Sequence, residues 1–142
     1  MSKLYTAKVT TTAGREGTSK SDDGALDLKQ GKPGAKDGST NPEQLFAAGY
    51  SACFGSALMA VAKRDSVAVS DVSVTAEVSL NQEEGKGYFI SAVLNTSIGG
   101  VDDATAKKLT EEAHKMCPYS KATSGNIDVQ FNAKGTGAKA AA

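Results

Sequence analysis

The stretch from Asn41 to Arg64 constrains this chain more than any other. Asn41 suits a helix N-cap, Pro42 the first helical position, and Gln44 the partner position of a capping box. The spacing predicts a helix running to about Arg64. Its apolar residues Leu45, Phe46, Ala48, Ala52, Cys53, Ala57, Met59 and Ala60 nearly encircle it, so a central, buried helix is expected. Gly49, Ala52 and Gly55 leave room for a close neighbour, and packing must offset the helix propensity lost at the glycines. Because Gly49, Tyr50, Ser51, Gly55 and Ser56 interrupt it, the stretch reads as a core helix too polar for a membrane span. The N-terminus carries no signal-peptide pattern, and a soluble, cytosolic protein is expected.

Around this helix the chain alternates strand and turn signals. Leu4 to Thr12, Thr18 to Ser21 and Ala25 to Leu28 suggest a three-stranded meander, separated by turns at Ala13–Gly17 and Asp22–Gly24. Gln30 to Ser39, with three glycines and one proline, reads as a mobile loop. Asp71 to Asn81 alternates cleanly, with Val72, Val74, Ala76, Val78 and Leu80 on one face. Tyr88 to Ile98 returns as the second arm of a hairpin. Asp102 or Asp103 caps a second helix, in which Ala106, Leu109, Ala113 and Met116 keep helical spacing. Ile127, Val129 and Phe131 form a last strand. A single domain over 1–132 is expected, followed by a disordered tail over 133–142. The order of elements predicts an α+β fold with antiparallel sheets on central helices.

Lys plus Arg number 16 and Asp plus Glu number 16, so nothing in the charge balance favours nucleic acid. The two cysteines, Cys53 and Cys117, are too few for a disulfide-dependent secreted domain. In a reducing compartment they are either inert core thiols or redox groups, and the inert reading has the higher prior. Cys53 lies about 15 Å from the start of its helix, too far for the helix dipole to stabilise a thiolate. Cys117 has two placements: the C-terminal end of the second helix, or the cap of a new helix opened by Pro118. The stripe from Ala106 to Met116 favours the first. Arg15 in a glycine-flanked turn and Glu43 at a helix start each have an ordinary structural explanation. His114, the one histidine, lacks a surrounding ligand set and reads as a solvent-facing helical residue, with no metal expected.

Thr40-Asn41-Pro42-Glu43-Gln44-Leu45-Phe46-Ala47-Ala48-Gly49-Tyr50-Ser51-Ala52-Cys53-Phe54 closely resembles the central helix of the OsmC/Ohr family. Cys117-Pro118-Tyr119-Ser120-Lys121-Ala122-Thr123-Ser124-Gly125-Asn126-Ile127 resembles its second cysteine motif. Gly14-Arg15-Glu16-Gly17, with Asp23-Gly24-Ala25-Leu26-Asp27-Leu28, looks like the Ohr branch, the organic hydroperoxide resistance proteins. Glu16 stands where that branch often has Asp, and Gly55 occupies a variable place. The resemblance implies an OsmC-like fold, an intertwined homodimer with sites at the subunit interface, and two sheets around two central helices. It also implies peroxide reduction by Cys53 and Cys117 with Arg15 and Glu43, no bound cofactor, and recycling by an external dithiol, a lipoyl group.

The implied chemistry is coherent. Arg15 can hold a Cys53 thiolate by a charge-assisted hydrogen bond while Glu43 pins the guanidinium. The thiolate becomes a sulfenic acid, and Cys117 condenses with it to a disulfide. Glu43 and Cys53 are about 15 Å apart along an ideal helix, however, and cannot both touch one Arg15 head. The expectation is therefore a site shared between two subunits, or a helix broken near Gly49. Phe46, Tyr50, Phe54 and Met59 suggest a greasy pocket that prefers alkyl hydroperoxides to hydrogen peroxide. The rival reading is a non-catalytic stress-response dimer of the same fold that binds a small apolar ligand.

Overall fold

The computed structural model describes residues 1–137 of the chain. Two compact units divide the span expected as one domain, Met1–Leu45 and Phe46–Ala142.

The first unit is built on an antiparallel sheet of three strands, β1 (Val9–Thr12), β2 (Thr18–Ser21) and β3 (Asp27–Lys29), in that order. The meander is as expected, but β1 starts at Val9, not Leu4. Its partner β2 has four residues, so the ladder ends at Val9 opposite Ser21 and leaves Leu4 to Ala7 outside it. A one-turn 3-10 segment, Gly14–Glu16, connects β1 to β2. Gly17 closes it against β1 so tightly that a side chain there would strike the Thr12 carbonyl. The loop after β3 is tied by Asp37, which accepts from the Ser39 amide at 3.1 Å and from Lys29 Nζ at 3.1 Å. These bonds, with that of the Ser39 hydroxyl, hold its carboxyl well below the ordinary carboxylate range.

Helix α1 (Pro42–Arg64) starts as the sequence predicts. Asn41 Oδ1 accepts the Gln44 amide at 2.9 Å, satisfying one of the free N–H groups of the first turn. The Gln44 side chain does not complete a capping box; its Oε1 accepts from the Thr40 hydroxyl at 2.8 Å instead.

In the second unit, β4 (Ser70–Glu83) and β5 (Gly87–Gly99) form the expected hairpin, paired antiparallel from Glu83 opposite Gly87. Helix α2 (Asp103–Met116) follows, capped by Asp102 Oδ1 on the Thr105 amide at 2.8 Å. A short helix α3 (Pro118–Thr123) then leads to β6 (Val129–Gly135). β6 lies parallel to β5, with Ala92 opposite Val129, so the expectation of purely antiparallel sheets is corrected. The physical reason is the connection. Two helices crossing one face return the chain to the end of the sheet from which β5 set out. β6 also claims Ala133 to Gly135 from the expected tail. Thr136 and Gly137 donate to Ile98 O and Val101 O at 3.0 and 2.7 Å, and the rest of that tail lies outside the described residues.

The core of this unit joins Tyr50, Phe54, Leu58 and Val61 of α1 to Leu94 and Ile98 of β5 and to Leu109, Ala113 and Cys117. Only one face of α1 is buried. Ala48, Ala52, Met59 and Ala60 are exposed, contrary to a helix covered all round, and so is Met116 on α2. By length and composition α1 is apolar enough to cross a membrane, which corrects the view that it is too polar. Its packed face marks it as a core helix.

Candidate active site

The four residues implied by sequence fall into two pairs, one in each unit. In the first, Arg15 is carried by the 3-10 turn and Glu43 by the first turn of α1. The guanidinium and carboxylate meet fork to fork, Nη1 to Oε2 at 3.0 Å and Nη2 to Oε1 at 2.6 Å. Arg15 remains 49% exposed while Glu43 is 13% exposed, so the carboxylate is the anchored partner. The Arg15 hydrogen bond is the chief reason that the Glu43 carboxyl sits below its ordinary range. It also raises Arg15.

In the second unit, Cys53 and Cys117 are both free thiols, the first half-buried and the second fully buried. Sixty-four residues separate them in sequence, yet both thiols pack in the same core cluster, close enough for Cys117 to act on the Cys53 thiol. Cys117 occupies both of its predicted placements at once. It is the C-cap of α2, its amide donating to Ala113 O at 2.8 Å, and the N-cap of α3, with Pro118 at the first helical position. Its extended backbone, φ −65° and ψ 124°, turns the chain between the two helices.

Burial pushes the Cys53 thiol up, the backbone N–H of Tyr119 pulls it down, and the Cys117 side chain raises it again; the balance is upward. All of these influences come from within the second unit. The net effect within this unit therefore favours the Cys53 thiol over the thiolate.

Around the pair runs an aromatic cluster. Tyr119 meets Phe46 edge-on at 6.0 Å and Tyr50 at 5.6 Å between ring centroids. Its hydroxyl end sits over Gly49, where any side chain would collide with it. Helix α1 is continuous from Pro42 to Arg64, so the expected break near Gly49 is corrected. The glycine serves instead as a seat for Tyr119. A cavity of about 450 Å³ opens beside this cluster, walled by Phe46, Ile90, Pro118, Tyr119, Ala122 and Ile127. Of the aromatics expected to make a greasy pocket, only Phe46 lines it. Tyr50 and Phe54 are fully buried, and Met59 is exposed.

His114 does not face solvent as expected. Its ring packs on Phe131 at 4.6 Å, its buried Nδ1 has no partner among the described residues, and burial lowers its pKa. Tyr119, whose backbone N–H lowers the Cys53 thiol, was not singled out from the sequence, although it stands within the second cysteine motif. The signal was Pro118, which predicts that the following amides line a helix start facing the thiols.

The chain belongs to the OsmC-like protein family, whose model matches residues 34–132. Among curated proteins it is 47% identical over 137 residues to the organic hydroperoxide resistance protein OhrB of Bacillus subtilis (strain 168), covering 92% of this chain and 98% of that one. It is 48% identical over 131 residues to the organic hydroperoxide resistance protein of Xanthomonas axonopodis pv. citri (strain 306), covering 89% and 92%. A solved organic hydroperoxide resistance protein from Elizabethkingia anophelis, with crystallant-derived thiocyanate bound, superposes with a TM-score of 0.88. It is 44% identical, over 96% of this chain and all of that one.

Proposed function

We propose that this chain is a two-cysteine thiol peroxidase that reduces organic hydroperoxides to alcohols. The observation that carries the reading is the meeting of Cys53 and Cys117, two free thiols from distant parts of the sequence, in one core cluster. Relatives named for organic hydroperoxide resistance, nearly half identical over most of the chain, support it.

In the proposed cycle the Cys53 thiolate attacks the terminal peroxide oxygen. An S–O bond forms, the O–O bond breaks, and the alkoxide takes a proton and leaves as the alcohol. The Cys117 sulfur then attacks the sulfenic acid, forming the S–S bond and expelling water. A dithiol, proposed to be a lipoyl group, reduces the disulfide by exchange and is itself oxidised to a disulfide. Arg15, oriented by Glu43, is the cation that would hold the thiolate, and no bound cofactor or metal takes part. The cavity beside Tyr119 would accept an alkyl tail, where each buried methylene is worth about 0.8 kcal/mol. A long-chain hydroperoxide should therefore have a higher kcat/KM than hydrogen peroxide.

We further propose a cytoplasmic homodimer in which Arg15 and Glu43 of one copy serve Cys53 of the other. The exposed apolar face of α1 and the exposed Leu4, Tyr5 and Val9 are the surfaces that a second copy would cover. The upward push on the Cys53 thiol favours a second reading, an inert buried thiol in a non-catalytic dimer that holds a small apolar ligand. Turnover separates them. Wild type, Cys53→Ser and Cys117→Ser are mixed with cumene hydroperoxide and dihydrolipoamide, and peroxide loss is followed. Wild type should turn over, and Cys53→Ser should fall to background; full activity in Cys53→Ser would end the peroxidase reading. In the same series Arg15→Ala should raise the thiol pKa of Cys53, read by thiolate absorbance against pH.

A further inference from the structure

Helix α3 presents a problem of placement. With six residues it is too short to persist by its own hydrogen bonds, yet its N-cap is Cys117, which shares a core cluster with Cys53. Part of the answer is apolar, the Tyr119 ring seated on Gly49 and packed against Phe46 and Tyr50. The other part is polar and buried. Tyr50 Oη lies 2.9 Å from Ser120 Oγ and 3.3 Å from Thr123 Oγ1, and the Thr123 hydroxyl donates to Ser120 O at 3.2 Å. Tyr50 and Ser120 have no exposed surface, and Thr123 has 5%.

Hydroxyls so buried are costly unless bonded, and apolar side chains of similar shape would fill the same space without that cost. What the hydroxyls add is direction. A greasy contact between α1 and α3 tolerates sliding and rotation, whereas a bonded cluster is satisfied in one register. That register is the one the thiols need. Tyr50 precedes Cys53 by three residues on α1, and Ser120 follows Cys117 by three at the start of α3. Residues three apart share a helix face, so the thiol pair and the hydroxyl pair form neighbouring rungs between the same two elements.

We propose that Tyr50, Ser120 and Thr123 are positioning residues for the redox pair, docking α3 on α1 so that Cys117 stays within reach of an oxidised Cys53. This rests on the peroxidase reading for its role in the cycle, while the docking itself does not depend on peroxide. Without the cluster α3 is docked for only a fraction of the time, and the effective concentration of Cys117 at Cys53 falls by that fraction.

Two measurements on the full chain test it, with Tyr50→Phe, Ser120→Ala, Thr123→Val and the hydroxyl-keeping Thr123→Ser. In the first, the disulfide is made with diamide and equilibrated with dithiothreitol. Tyr50→Phe and Ser120→Ala should shift the equilibrium toward the dithiol by about tenfold, the scale of one orphaned buried hydroxyl. Thr123→Ser should behave as wild type and Thr123→Val should not. In the second, the protein is titrated with cumene hydroperoxide and weighed by intact mass. The variants should accumulate Cys53 sulfinic acid at lower peroxide than wild type, while the first equivalent of peroxide is consumed at the wild-type rate. If Tyr50→Phe and Ser120→Ala, folded by circular dichroism, match wild type in the dithiothreitol equilibrium, the proposal is overturned. It is also overturned if diamide joins no Cys53–Cys117 disulfide in wild type. If wild type closes that disulfide with diamide but leaves hydroperoxide unreduced, the peroxidase reading fails and the equilibrium still decides the docking.

Discussion

At the scale of single residues, the proposed chemistry lies in two contacts of opposite character. The Arg15–Glu43 fork is an ion pair with a half-exposed arginine, screened by salt and modest in energy. Its pH dependence follows from the carboxylate. The folded state holds Glu43 below its ordinary value of 4.5, so the stabilisation is present above that value and is lost as pH falls through the lower folded one. Melting curves of wild type and Glu43→Gln should differ at neutral pH and converge in acid below the carboxylate range; a gap that persists there would remove Arg15 as the cause. The thiol contact is buried and insensitive to salt. Gly49→Ala should disturb it, because the added methyl drives Tyr119 off its seat. Overpacking of this kind typically costs about 1–3 kcal/mol, measurable by urea denaturation. Both cysteines, Arg15 and Glu43, the residues of the proposed site, were legible in the motifs. Their division into two pairs was not, since sequence spacing does not record which side chains a fold brings within bonding distance.

At the scale of elements, local chemistry was read well and tertiary coverage was not. Asn41 announces one helix start, and Asp102 or Asp103 the next, because a cap is satisfied within four residues; Asn41 and Asp102 make those bonds. Asn41→Ala should cost about 1 kcal/mol of stability by denaturant unfolding, with the first turn of α1 exchanging its amide hydrogens faster. The alternation of β4 likewise needs only its own period of two. The direction of β6 was misjudged because residues 127–131 read the same in either orientation. What decides it is the path of α2 and α3 across one face of the sheet, a property of the whole connection. The apolar circumference of α1 was read as a helix covered all round, and half of that circumference is bare. Composition reports that a surface wants cover, not what supplies it.

At the scale of the whole molecule, the bare face of α1 makes association testable. Sedimentation should give twice the chain mass at micromolar concentration. If Arg15 serves the partner's thiol, an equimolar mixture of Arg15→Ala and Cys53→Ser chains, refolded together, should regain activity that neither has alone. Recovery would come from mixed dimers, in which one site is intact. No recovery, with mixed dimers present by native mass, would place the arginine and the thiol of each site on one chain. The parallel pairing of β6 also bears on how the protein is made. A hairpin strand pairs as soon as its turn forms, but β6 must wait for the whole crossover to emerge and fold back. Cys117 rides on that crossover, so during synthesis the two thiols meet late. If the thiols meet only once that crossover has folded, a chain ending before Val129 should close its disulfide with diamide far more slowly.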